Sequence, residues 1–184
     1  MQMTLSDRAR PASPVLFQDR RHAGRLLAPK LVQRAPENPL VLALPRGGLP
    51  VGVEIARALD APLDLLLARK IGTSWQPELA IGAVIGGPHP RTVINRDIAS
   101  IAGVTDADLT RIAKIQFEEL EGRPPLWLGR HHSLSPSGHS AILVDDGIAT
   151  GATMRVALEA LRAENPLRLI LASPVAPEET ARML

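Results

Sequence analysis

The chain has no cysteine, no tyrosine and only three lysines, and no apolar run approaches the roughly 20 residues of a membrane-spanning helix. Without cysteine there is no disulfide framework. Residues 1–14 lack the apolar core of a signal peptide. The expectation is a flexible tail over 1–16, a single domain over 17–184, a cytoplasmic location and no membrane partner. The net charge is only +2. The sequence pI of 9.6 overstates basicity, because no Tyr or Cys buffers the alkaline range. So small a charge argues against a nucleic-acid coat. Apart from Lys30, Lys70 and Lys114, the Lys/Arg positions are all Arg, whose fork suits discrete, bidentate anion contacts. At 184 residues, 45% hydrophobic and 22% charged, the chain can bury a substantial core.

Strand and helix patterns alternate along it. Residues 19–31 read as a helix that Pro29 should kink or end. Leu40–Leu44 reads as the first buried strand. Pro50 then suits the first turn of a helix with a Val51, Ile55, Leu59 stripe. Leu63–Ala68 is the next strand, ending at Arg69-Lys70, with a mobile loop over 71–78. Residues 79–85 and 92–95 could pair antiparallel. Thr105 and Asp108 mark a helix start. Residues 122–140 form a Pro/Gly/Ser/His-rich loop. Strands at 141–144 and 167–173 flank a helix at 152–163, and a last helix begins near Pro177. The pattern predicts an α/β fold: a doubly wound, mostly parallel sheet flanked by helices, with a small antiparallel flap.

The most informative stretch is Ala141-Ile-Leu-Val-Asp-Asp-Gly-Ile-Ala-Thr-Gly-Ala-Thr-Met154. A buried strand runs into two carboxylates, Asp145 and Asp146, at the end where open α/β sheets bind ligands. Adjacent carboxylates can accept hydrogen bonds from vicinal hydroxyls and support a divalent metal. Gly147 and Gly151 permit a tight turn. The N–H groups of Thr150 to Thr153, at a helix start, suit a phosphate, and Thr150 and Thr153 add hydroxyls. The whole reads as a site for a phosphorylated sugar. An Asp turn with a Thr N-cap would need neither both carboxylates nor both glycines. A nucleotide P-loop is excluded by the spacing and by the lack of Lys after the second glycine.

Leu44-Pro-Arg46-Gly47-Gly48 repeats the strand–glycine loop–helix physics, with Arg46 adding charge. Arg69-Lys70 should end the next strand on the same sheet edge. His131-His132 lacks a third ligand at metal spacing. Residues 135–140 contain no Gly-x-Ser-x-Gly elbow, so a hydrolase nucleophile is unsupported.

Val144–Thr153 resembles the PRPP-binding motif of type I phosphoribosyltransferases, PRPP being 5-phosphoribosyl 1-pyrophosphate. Together with Asp19-Arg-Arg-His-Ala-Gly-Arg-Leu-Leu27, Leu44–Gly52, Arg69-Lys70 and Pro77–Ala83, it resembles the branch usually called predicted phosphoribosyltransferases, over about residues 17–180. The resemblance implies a Mg2+-dependent transferase that takes ribose 5-phosphate from PRPP, releases pyrophosphate and serves nucleotide metabolism. Its acceptor would be a small molecule, a nucleobase or similar nitrogen nucleophile. Asp145 and Asp146 would be the catalytic pair, holding Mg2+ through ribose hydroxyls or water. Asp145, Asp146, Gly147, Ala149, Thr150, Gly151, Ala152 and Thr153 would bind ribose 5-phosphate. Arg46, Gly47, Gly48, Arg69 and Lys70 would bind pyrophosphate, with a non-proline cis peptide at or beside Arg46–Gly47. The 71–78 loop would close over PRPP. A homodimer is implied.

The chain departs from that pattern in places. Ala149 stands where hypoxanthine-guanine enzymes carry an Asp, and residues 164–184 contain no Lys. Residues 71–79 contain no Lys or Arg, unlike the loop of orotate enzymes. The chain ends inside a predicted helix, where relatives continue with a further strand, so the acceptor side is expected to be reduced. Residues 173–177 are the candidate acceptor segment. The alternative is a non-catalytic PRPP or nucleotide sensor of the same fold, with a possible basic patch at Arg20, Arg21 and Arg25.

Overall fold

The computed structural model describes residues 16–72, 80–86, 91–94, 96–121 and 134–184. The elements run α1 (Arg20–Val32), β1 (Pro39–Ala43), α2 (Gly48–Leu59), β2 (Leu63–Leu65), β3 (Ala68–Gly72), β4 (Ala80–Ile85), β5 (Arg91–Ile94), α3 (Arg96–Ile101), α4 (Asp106–Glu121), β6 (Ser140–Val144), α5 (Ala152–Arg162), β7 (Arg168–Ala172) and α6 (Glu178–Met183). The main sheet has the order β2-β1-β6-β7 and all its pairs are parallel. A separate antiparallel sheet has the order β3-β4-β5.

Alternation along β1 and β6 explains the layers. Leu40, Leu42, Ala141 and Leu143 point to one face and pack with Met154, Ala157, Ala160 and Leu161 of α5. Val41, Ile142 and Val144 point to the other face and meet Val51 and Ile55 of α2, and Ala28 and Leu31 of α1. With both faces covered, these strands read as continuous apolar runs. The chain leaves β1 toward β2 over the α2 face and leaves β6 toward β7 over the α5 face. The winding therefore reverses between β1 and β6, which places the ligand crevice of such a sheet at their carboxyl ends.

Three expectations are corrected. Pro29 does not end α1, which continues to Val32 while Gln33 N–H donates to the Pro29 carbonyl at 3.0 Å. A proline removes one donor from the ladder, and the buried Ala28 and Leu31 hold the helix on its neighbours regardless. The strand expected over 63–68 is two strands in different sheets. Leu66 N–H still bonds Ala43, whereas the Leu67 carbonyl accepts from Gly86 beside the antiparallel sheet. That sheet consequently has three strands rather than two. The Thr105–Asp108 helix start is present as a reciprocal cap: Asp108 N–H donates to Thr105 Oγ1 at 3.2 Å and Thr105 Oγ1 donates to Asp108 at 2.7 Å. The loop expected over 71–78 begins within β3, where Ile71 and Gly72 are strand residues, while 73–78 and the His131-His132 pair fall outside the described residues.

The α1–α2 contact aims the start of α1 at the sheet's carboxyl edge. At Gly24 the two backbones approach so closely that an added Cβ would lie 2.8 Å from the Val51 carbonyl oxygen and 2.9 Å from Glu54 Cβ. Gly24→Ala should therefore lower stability, since overpacking of about 1–3 kcal/mol outweighs a helix-propensity gain of about 1 kcal/mol. Urea unfolding tests this, and a stabilised variant would refute the close packing.

Candidate functional site

The register of β1 on β6 pairs Ala43 with Val144. One residue further on, Leu44 N–H donates to the Val144 carbonyl at 2.9 Å. The 45–48 and 145–151 loops therefore leave the sheet side by side. The Pro45–Arg46 peptide is cis, adjacent to the position expected. Gly47 has an ordinary helical φ of −66°. Its need for glycine comes from contact, since a Cβ there would sit 2.2 Å from Asp146 Oδ1. Gly48 does not offer its N–H to a ligand, because it donates to the Leu44 carbonyl at 2.9 Å. Arg46 is exposed, and among the described residues it has no hydrogen-bond or ion-pair partner.

The second loop presents open donors. Among the described residues, no partner is found for the N–H groups of Thr150, Gly151, Ala152 and Thr153, or for the hydroxyls of Thr150 and Thr153. Helix α5 starts at Gly151 with no side-chain cap and no acidic residue in its first turn. An uncapped helix start of this kind is a ready anion site. The Thr N-cap reading is thereby set aside. Of the two loop glycines, only Gly151 is conformationally demanded, with φ +75°. A Cβ there would also meet Thr180 Cγ2 at 2.8 Å, while Gly147 has open space around it.

Val175, within the candidate 173–177 segment, and Thr180, which the sequence did not single out, buttress this loop from behind. Ile148 N–H donates to the Val175 carbonyl at 2.8 Å, and the buried Thr180 hydroxyl donates to the Ala149 carbonyl at 3.0 Å. The 173–177 segment thus lies against the site loop. The sequence signal for Thr180 was slight: a single hydroxyl in the short terminal helix.

The carboxylates are not equivalent. Asp145 is half-buried, and burial raises its pKa to about 6; the Asp146 N–H, donating to Asp145 Oδ1 at 2.9 Å, opposes the rise, while the Asp146 carboxylate adds to it. At Asp146 burial also pushes upward, but the Arg20 guanidinium prevails and holds the carboxyl below its ordinary value. Arg20 Nε donates to Asp146 Oδ2 at 2.6 Å.

Arg69 has a partner of its own in this structure. It lies in β3, in the antiparallel sheet, and its guanidinium is paired with Glu119 of α4. Lys70 is next to it on the same strand, and its side chain lies outside the described residues.

The phosphoribosyl transferase domain family model matches residues 20–183. The chain belongs to that family. It is 40% identical over 164 residues to the Mycobacterium tuberculosis (strain H37Rv) protein named "Putative phosphoribosyl transferase Rv0571c". That match takes in 89% of this chain and 37% of the relative, so the chain spans little more than a third of the curated protein's length. The crystal structure of TT1426 from Thermus thermophilus is 40% identical, with TM-score 0.80, over 92% of this chain and 79% of that one. A hypoxanthine phosphoribosyltransferase from Staphylococcus aureus matches in fold alone, at 10% identity and TM-score 0.52, over 92% of this chain and 70% of that one.

The raised carboxyl of this phosphoribosyltransferase domain has a consequence for stability. Unfolded, Asp145 ionises near 3.8; folded, near 6. The native state holds the extra proton between these values, so this group's contribution to stability falls as pH rises through that window. Asp145→Asn should match the parent near pH 4 and exceed it in stability above pH 6. Urea midpoints measured from pH 4 to 7 test this; an offset independent of pH would show that Asp145 is not the titrating group.

Proposed function

We propose that this domain binds PRPP across the β1–β6 crevice and transfers its ribose 5-phosphate to a small nitrogen nucleophile, releasing pyrophosphate. The observation that carries this reading is the pair of loops at the switch point. One is an uncapped helix start with four consecutive open N–H groups; the other carries an unpaired Arg46; two carboxylates stand between them. The 5′-phosphate takes the N–H groups of 150–153 and the Thr150 and Thr153 hydroxyls. Asp145 and Asp146 take the ribose hydroxyls, and Arg46 with the Gly47 backbone takes the pyrophosphate.

The chemistry asks mainly for position and charge. The bond from C1 of the ribose to the pyrophosphate oxygen breaks, positive charge builds on the ring, and the acceptor nitrogen attacks from the opposite face. Holding both ends of PRPP and placing two carboxylates near the cationic ring are the protein's contributions. A divalent cation fits as a shared ion. The described residues contain no group of three or more His, Asp or Glu that could hold a metal alone, whereas Mg2+ is commonly held by one or two carboxylates plus substrate oxygens. Asp145 and Asp146 are those carboxylates, and the ion would neutralise the leaving pyrophosphate. The 173–177 segment, bonded to the site loop, is the acceptor wall. A sensor that binds PRPP without turnover is the second reading, favoured by Ala149 and by the lack of Lys in 164–184.

Calorimetric titration of PRPP with and without Mg2+ tests the reading. Micromolar, Mg2+-dependent binding is expected. The Asp145→Asn, Asp146→Asn double variant should keep its far-UV circular dichroism and bind at least ~100-fold more weakly, the scale of losing two charge-assisted contacts. Unchanged affinity in the folded variant would remove the ribose assignment. Screening purines, pyrimidines and amines for pyrophosphate release then separates enzyme from sensor.

A further inference from the structure

Arg69 is paired with Glu119, so Arg46 is the candidate pyrophosphate cation with no partner among the described residues, facing a leaving group of several negative charges beside two carboxylates. A second cation is nevertheless present. Arg20 opens α1, and its side chain reaches 126 positions along the chain to Asp146. Its Nε–H is engaged at 2.6 Å, and no other hydrogen bond of this guanidinium is found among the described residues. Four of its five N–H donors are therefore open among the described residues, and the side chain is 61% exposed.

Its placement is built. Asp19 caps α1, its carboxylate accepting His22 N–H at 2.6 Å, which makes Arg20 the first helical residue. A cation there opposes the helix dipole, and the first turn has no acid of its own. The α1–α2 approach at Gly24 then carries this end of the helix to the glycine loop. Asp146 is flanked by Arg20 at Oδ2 and by Gly47 at Oδ1, so Arg20 and the 46–48 loop stand on two sides of a single carboxylate. The neighbouring arginines do not share this position. Arg21, Arg25 and Arg57 gather around Glu54 instead.

We propose that Arg20 is the second pyrophosphate-binding residue of this domain. In the empty site it holds Asp146 in place; with substrate bound, its open guanidinium N–H groups take pyrophosphate oxygens opposite Arg46. The proposal rests on the PRPP reading of the site. It adds to Arg46 a residue from the start of the fold and explains the cation at the start of α1.

The test uses three probes in Mg2+ buffer: PRPP, inorganic pyrophosphate and ribose 5-phosphate, the last lacking the leaving group. Each is titrated into the unaltered protein, Arg20→Gln and Arg20→Lys. Arg20→Gln should weaken PRPP and pyrophosphate by about tenfold or more, the scale of a lost charge-assisted hydrogen bond. Ribose 5-phosphate should change by less than about threefold, under half of that tenfold step in free energy, and Arg20→Lys should recover part of the loss. Equal weakening of all three probes would make Arg20 only a support for Asp146 and overturn the proposal. Tighter binding of all three would make it only a competitor for Asp146 and would overturn the proposal equally. PRPP binding that Arg20→Gln leaves unchanged refutes the proposal alone. Failure of the unaltered protein to bind PRPP refutes the underlying reading together with it.

Discussion

The pairing of β1 with β6 is the constraint on which everything else in this domain depends. Five consecutive residues of each strand are in parallel register, and the ladder extends one bond further to Leu44. Because the winding reverses at this pair, α2 and α5 leave it on opposite faces, and both begin at the same edge. Side-chain alternation makes the arrangement obligatory. A slip of one residue would turn Leu40 and Leu42 toward α2 and Val41 toward α5, inverting two packed layers at once. The register therefore protects the site as much as the core, since it also sets Gly47 against Asp146.

Charge at this edge is arranged around one carboxylate pair. Two adjacent acids at the end of a buried strand would repel, and the structure separates their behaviour by environment. Asp145 is pushed toward its neutral form by burial, while Asp146 is kept ionised by Arg20. The fold thereby keeps a partly desolvated acid poised near neutral pH beside an anchored one. Such an arrangement detracts from stability, as expected where function and stability conflict. The open N–H groups at the start of α5 follow the same logic, since nothing among the described residues caps them.

Much of this was legible in the chain itself. The strand–acid–glycine–helix order of 141–154 predicted the site loop. The apolar runs at 40–44 and 141–144 predicted strands covered on both faces, and Thr105 with Asp108 predicted a capped helix start. These are local signals, set by periodicity, conformational demand or hydrogen bonding within a few residues. Where the reading was incomplete, the missing information was long-range. The run 63–68 looks like one strand because only Asp64 interrupts its apolar residues; that its halves belong to different sheets depends on Ala43 and Gly86. Gly48 looks like a ligand donor until the Leu44 carbonyl is found to occupy its N–H.

The sequence by itself determined the kind of site: two carboxylates, a glycine loop with hydroxyls, and a second loop with an arginine, each where a strand gives way to a helix. Only the tertiary structure decided which side chains share that site. Arg69 was paired with Glu119, Arg20 was brought to Asp146 from the start of the fold, and Thr180 was set behind the loop. The physical reason is that motif chemistry is written in neighbouring residues, whereas partnership across 126 positions is decided by how the α1–α2 and β1–β6 contacts pack. That packing has no local signature in the chain.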